Sequence, residues 1–241
     1  MAVDEALLES VADPNAPPVV RLYGFCPPTL SLGRFQATEG HIDLQAVRED
    51  ALLLVRRPTG GQAVLHDREV TYSVVVGRTH LSGFSKRGVY RFVADMLLEG
   101  LKELAIPGVL TGGARGDPRN PNCFAAASEY EIDSATGRKM IGSAQMVSRH
   151  GVLQHGAIPL DRSYLRIRRY LLSEPEDTHG SSCISDECGR NVGFHEAYHA
   201  FVAGIRRYVA VDESSRTAAE EARTQELLQR KYTSNTWNRK Y

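Results

Sequence analysis

The stretch RRPTGGQAVLHD, from Arg56 to Asp67, sets two arginines and a proline against two adjacent glycines and a histidine. Pro58 stiffens the backbone, and Gly60-Gly61 permits a left-handed turn and close approach of a ligand. Exposed N–H groups in such a turn, flanked by Arg56 and Arg57, suit a carboxylate, a phosphate or a polarised carbonyl. The run lacks the Gly-Lys-Ser/Thr ending of a phosphate loop, and a hairpin turn with solvated arginines accounts for the same residues equally well. A second candidate is Cys123 in NCFAAASEYEIDSATGRKMIGSAQ, with Lys139 sixteen positions on across a hairpin. The thiolate is the nucleophilic form, and a nearby ammonium stabilises it and can manage protons as an acyl group arrives and leaves. Spacing alone favours a small buried cysteine and a solvent-facing strand lysine. A third is VGFHEAYHAF, where His195 and His199 stand one helical turn apart and could share a zinc ion with Glu196 as base. His179, Cys183 and Cys188 lie just upstream, but Cys183-x4-Cys188 is looser than a zinc knuckle and no third ligand is fixed.

These residues need elements to hold them. PPVVRLYG and TLSLG read as a short strand pair, HIDLQAVRED as a helix, ALLLVRR as a buried strand entering the glycine loop, and EVTYSVVV as another strand. From Ser85 to Leu104 apolar residues recur every three or four positions, the pattern of an amphipathic helix. TGGARGDPRNPN reads as a loop; SEYEID, RKMIGSAQMVS and GVLQHGAIPL then read as three successive strands. From about Asp161 the pattern turns helical, strongest in HEAYHAFVAGIRRYVAV and RTAAEEARTQELLQRKY. Strands gathered early and helices late predict an α+β fold.

Size and composition narrow the classes. A chain of 241 residues with 42% hydrophobic and 24% charged residues suits one sizeable core. Lys+Arg and Asp+Glu both number 29, so the overall field draws neither nucleic acid nor acidic membrane, and anion recognition has to be local. No apolar run reaches the roughly 18 residues of a membrane span, and the acidic start MAVDEALLES does not suit a secretory signal. Four cysteines (Cys26, Cys123, Cys183, Cys188) are too few and too scattered for a disulfide framework, which points to a reducing cytoplasm.

Read in order, these pieces resemble the catalytic domain of the biotin/lipoate cofactor-transferase family over nearly the whole chain. MAVDEALLES is similar to that family's first helix, PPVVRLYGFCPPTLSLGRFQ to its opening strands, and RRPTGGQAVLHDREVTYSVVV to its lipoyl-binding loop and strand. GRKMIGSAQMVSRHGVLQHGAIPL resembles its lysine and histidine-glycine strands, and KYTSNTWN its usual ending. NCFAAASEYEI resembles the octanoyltransferases of the LipM type, which carry a cysteine ahead of a Ser-x-Tyr-Glu run.

The resemblance implies a biotin/lipoate protein ligase-like fold, related to class II aminoacyl-tRNA synthetases, with a mixed sheet flanked by helices. It implies one catalytic domain over residues 1–241 that lacks the strand found ahead of the first helix in relatives. Cys123 would be the acyl-thioester nucleophile and Lys139 the residue that lowers its pKa. Arg56, Arg57, Gly60, Gly61, His66, Gly142, Ser143, Ala144, Gln145, His155 and Gly156 would shape the acyl pocket and position the carbonyl. An octanoyl group would pass from acyl carrier protein through Cys123 to a lysine of a lipoyl-domain protein such as the glycine-cleavage H protein, in the cytoplasm. No cofactor, ATP, metal, nucleic acid or membrane is implied. One extra residue in the DSATG hairpin is expected to shift Lys139 without changing strand register beyond the turn. The rival readings are an ATP-dependent lipoate-protein ligase, an octanoyl amidotransferase between lipoyl-domain proteins, a non-catalytic acyl-protein binding module and the zinc hydrolase.

Overall fold

The computed structural model describes residues 1–82, 85–111, 131–173 and 180–241. Cys123, His179 and most of the predicted TGGARGDPRNPN loop lie outside them. Helix α1 (Ala2–Ser10) opens the chain, followed by β1 (Val19–Tyr23), β2 (Thr29–Leu32), α2 (Leu44–Glu49), β3 (Leu53–Arg56), β4 (Val64–His66) and β5 (Glu69–Gly77). Next come α3 (Lys86–Glu103), β6 (Gly108–Leu110), β7 (Ile132–Ser134), β8 (Lys139–Val147) and β9 (Gly151–Pro159). After a 3-10 stretch, Arg162–Tyr170, come the helices α4 (Ile184–Cys188), α5 (Phe194–Tyr208), α6 (Ala218–Leu227) and α7 (Asn235–Asn238). No described helix is long and apolar enough to cross a membrane. The α+β class holds.

The described strands form a six-stranded sheet in the order β1-β5-β9-β8-β7-β6 and a three-stranded one in the order β3-β2-β4. The large sheet is antiparallel throughout, while β2 runs parallel to β3 and antiparallel to β4. Two local expectations are corrected here. PPVVRLYG and TLSLG do not pair: β1 ladders with β5 and β2 with β3 and β4, in separate sheets, and Pro27 and Pro28 in the connection fix φ where a tight hairpin would need a freer backbone. ALLLVRR is not buried throughout. β3 is the edge of its sheet, Leu53 is 53% exposed, and the fully buried side chain at its end is Arg56.

Opposite faces of the large sheet take different cover. Ser85 caps α3 by accepting from the N–H of Gly88, and the helix buries Val89, Val93, Met96, Leu97 and Leu101. That stripe joins Phe201 and Ile205 of α5 in the main core, over Val70, Tyr72, Val74 and Ile158 of the sheet. Val75 and Leu153, of opposite alternation, instead meet Leu7, Leu8 and Val11 of α1. The smaller sheet packs Leu30, Leu32 and Leu65 against α2 and the Arg162–Tyr170 stretch.

Candidate active site

The glycine loop leaves β3, and its two arginines are buried. Arg56 is 0% and Arg57 3% exposed, so the solvated-arginine reading fails. The Arg56 guanidinium donates to the carbonyls of Gly33 (2.7 Å), Gln36 (2.7 Å), Trp237 (3.1 Å) and Asn238 (3.2 Å) and to Thr38 Oγ1 (2.9 Å), with a long contact to Arg34 O. All five guanidinium N–H groups are therefore committed to the protein. Arg57 closes on its own loop, donating to Gly60 O (2.8 Å), Gln62 O (2.7 Å), Ser31 O (3.2 Å) and Ser31 Oγ (3.2 Å). The two cations shape the loop by gathering backbone carbonyls.

What they shape is a bare stretch of chain. Gly61 has φ +89°, and its carbonyl passes so close to Gly33 that a Cβ there would lie 1.7 Å from the oxygen. A Cβ built at Gly60 would meet nothing within 4 Å, so this backbone borders open space. Thr59, fully buried, fixes the loop to the large sheet through a 2.6 Å hydrogen bond with His155 Nε2. His66 is spent elsewhere. Buried and stacked on Phe25, it bridges Ser31 Oγ (2.8 Å) and Glu69 Oε1 (2.5 Å), tying β2 to β4 and β5.

Register separates the remaining expected site residues. Ala144 lies opposite His155 and Gly142 opposite Ala157, so these four face the glycine loop. Ser143 lies opposite Gly156, and Gly156 opposite Tyr72, on the helix-covered side. There Ser143 Oγ bonds Tyr72 OH (2.5 Å), and Gln145 bonds Gln154 (3.2 Å) and the carbonyl of Lys86 (3.4 Å). Burial pushes the Tyr72 phenol up to about 12, so this cluster is neutral. The run GSAQ thus contributes Gly142 and Ala144 to the loop face, and Ser143 and Gln145 to the support behind it. Gly156 is required by packing, since a Cβ would lie 2.1 Å from Gly142 O and 2.7 Å from the Tyr72 ring.

Lys139 is 3% exposed, and its ammonium donates to Glu131 Oε1 at 2.6 Å. Its direction comes from a bulge: Ile132 pairs with Ile141, but Asp133 pairs with Lys139, leaving Met140 as an extra residue. Met140 and Ile141 both enter the main core, so Lys139 is turned to the loop face with Gly142 and Ala144. Thr111 N–H bonds Glu131 O (2.8 Å), which extends the pairing of β6 with β7 beyond Leu110 and Ile132. Sequence reasoning missed Thr59, Asp4 and Glu131. Asp4 interrupts the apolar stripe of α1 yet is 0% exposed, and Glu131 closes the SEYE run of the sequence.

The H-E-x-x-H residues lie apart from this face. His195, Glu196 and His199 are exposed on α5, and both carboxylate oxygens of Glu196 are held by Arg190. Cys183 is packed among Val64, Ala157 and Tyr164, where burial pushes its thiol up to about 11, and Cys188 Sγ contacts Leu104 O. Among the described residues no group of three or more His, Cys, Asp or Glu side chains could hold a metal ion.

Sheets flanked by helices in this arrangement are shared with solved lipoate-protein ligases. The chain superimposes on a lipoate-protein ligase A bound with ATP with a TM-score of 0.81 at 24% identity, covering 99% of this chain and 92% of that one. It superimposes on the bi-partite lipoate protein ligase of Thermoplasma acidophilum with a TM-score of 0.76 at 23% identity, over 99% and 89%. At these identities the likeness establishes the fold. The chain belongs to the lipoyl protein ligase A/B catalytic domain family, whose model matches residues 1–206. Among curated proteins it is 38% identical to Octanoyltransferase LipM of Geobacillus kaustophilus, over 99% of this chain and 92% of that protein. It is equally identical, with the same coverage, to Octanoyltransferase LipM of Symbiobacterium thermophilum. Likeness to enzymes of one name over nearly the whole length makes this chain an acyltransferase.

Proposed function

We propose that the chain transfers an octanoyl group from octanoyl-acyl carrier protein to a lysine of a lipoyl-domain protein, through a thioester on Cys123. Its place among octanoyltransferases rests on the relatives that match over nearly its full length. The observation that carries the finer reading is the buried Lys139 ammonium, turned by a bulge onto the face that holds the glycine loop.

In the first half-reaction the Cys123 thiolate attacks the thioester carbonyl, a C–S bond to the enzyme forms, and the carrier thiolate leaves and takes a proton. In the second, the acceptor lysine amine attacks the acyl-enzyme carbonyl, an amide forms, and the Cys123 thiol is restored with the proton the amine gives up. Both are exchanges at an activated acyl carbon, so no nucleotide is consumed. Lys139, paired with Glu131, would stabilise the thiolate and each returning sulfur anion. The bare backbone at Gly60 would lie along the acyl arm, with loop N–H groups able to hold the oxyanion. The glycine-cleavage H protein is a suitable acceptor, and the reading places the enzyme in the cytoplasm.

Mixing the protein with octanoyl-acyl carrier protein, without ATP, should add the mass of one octanoyl group. Cys123→Ala should abolish that addition. Full transfer by Cys123→Ala, or transfer only with ATP, would overturn the thioester route.

A further inference from the structure

Asp4, His155 and Thr59 form a buried line from α1 through β9 to the glycine loop. Asp4 Oδ2 lies 3.5 Å from His155 Nδ1, and His155 Nε2 lies 2.6 Å from Thr59 Oγ1. Exposure is 0% for Asp4, 4% for His155 and 0% for Thr59. The order of acid, imidazole and hydroxyl is that of a nucleophile relay, but a hydroxyl with no exposed surface cannot meet a substrate. The line has to serve another end.

We infer that Asp4 is a positioning residue for acyl transfer: it fixes the tautomer of His155 so that the ring accepts the Thr59 hydroxyl proton and locks the glycine loop against the sheet. The chemistry is directional. An ionised Asp4 can only accept, so Nδ1 must carry the ring proton. A neutral ring then leaves Nε2 as an acceptor, and Thr59 must donate. Burial opposes ionisation of Asp4, but the Met1 amino group, His155 and Arg21 outweigh it and hold the carboxyl well below its usual range. Burial also lowers the pKa of His155, against the pull of Asp4, and so favours the neutral ring. Arg21 and Tyr23 from β1 also donate to Asp4, which keeps the carboxylate aimed at the ring. Thr59 stands directly before Gly60, whose backbone borders open space. Without the hydroxyl bond, the loop would stay tied near Thr59 by the Arg34 N–H to Thr59 O bond and by Arg57, but its anchor to the histidine strand would be gone.

The consequence for catalysis rests on the acyl-transfer reading, whereas the tautomer can be observed without it. In protein labelled with ¹⁵N-histidine, His155 should show a protonated Nδ1 and an unprotonated Nε2 at neutral pH, and Asp4→Asn should replace that single form with a mixture. A wild-type ring protonated at Nε2, or one unchanged in Asp4→Asn, overturns the inference. In octanoyl transfer, Thr59→Val should lower kcat between about ten- and a hundredfold, as loss of carbonyl alignment does. KM for octanoyl-acyl carrier protein and the rate of Cys123 alkylation by iodoacetamide should stay unchanged, and Thr59→Ser should rescue kcat. Equal losses in Thr59→Ser and Thr59→Val, or a fall in alkylation rate matching the fall in kcat, would overturn it as well. A wild-type protein that never acquires the acyl group refutes the proposed function and leaves the tautomer result standing.

Discussion

Replacing Arg56 with methionine separates a ligand-binding arginine from one that holds the loop. The wild-type guanidinium makes three bonds of 2.9 Å or shorter, to Gly33 O, Gln36 O and Thr38 Oγ1, and longer ones to Trp237 O and Asn238 O. Hydrogen bonds to a charged donor contribute about 1.5–3 kcal/mol each, and acceptors left buried without a partner add a desolvation cost. Against this, methionine removes a cation that is fully buried and, among the described residues, pairs with no carboxylate but lies 5.4 Å from the centre of the Tyr241 ring. Relief of that burial returns several kcal/mol. The balance is a loss of roughly 3–5 kcal/mol, a large share of the 5–15 kcal/mol that domains commonly have. For a chain of this length, a melting temperature lower by about 6–20 °C follows. Thermal unfolding measures the loss, and acyl transfer at low temperature, where the variant is still folded, measures catalysis. KM for the octanoyl donor should stay close to wild type. An unchanged melting temperature with a raised KM would refute the clamp and return Arg56 to the ligand.

Gly156→Ala should destabilise the protein by about 1–3 kcal/mol or more, seen in denaturant titration, because the new methyl would lie 2.1 Å from Gly142 O at the centre of the sheet. Stability should also fall on acidification in two stages. His155 is buried neutral with a lowered pKa, so the unfolded chain binds the extra proton first, and stability declines as pH drops below about 6.5, by at most about 1.4 kcal/mol per unit. Asp4 acts later: its depressed pKa supplies stability that is complete above the unfolded value near 3.8 and is lost as pH falls towards the folded one. His155→Gln should remove the first stage and Asp4→Asn the second, in unfolding midpoints measured across pH.

The sequence carried most of the architecture because apolar periodicity is a local signal. Val89 to Leu101 repeats at helical spacing, and α3 follows it; EVTYSVVV and GVLQHGAIPL became the paired central strands β5 and β9. Pairing partners were less legible, since β1 and β2 are neighbours in the chain but belong to different sheets. The purpose of Arg56 and Arg57 was hidden for a related reason. Their acceptors are backbone carbonyls as distant as Gly33 and Asn238, and a carbonyl leaves no mark in the residue letters. Asp4 was visible as an acid in an apolar helix stripe, yet its partners Arg21, Tyr23 and His155 come from two strands that only the fold brings to it.

Lys139 shows what alternation alone gets wrong. Strict period-two counting from Gly142 puts residues 139, 141 and 143 on one face. Ile141 does face the helices, and Ser143 joins Tyr72 there. Had Lys139 followed them, its ammonium would lie in the main core among Ile132, Met140 and Ile141. The register instead slips between Ile132 and Asp133, Met140 takes the core position, and the lysine turns to the other face, where Glu131 meets it at 2.6 Å. A buried ammonium is tolerable only with such a partner, so the bulge and Glu131 form one device. The slip exchanges the faces of Met140 and Lys139 while leaving β8 in unbroken register with β9 from Gly142 to Val147. A strand can therefore keep its place in the sheet and still deliver one cation to the opposite side.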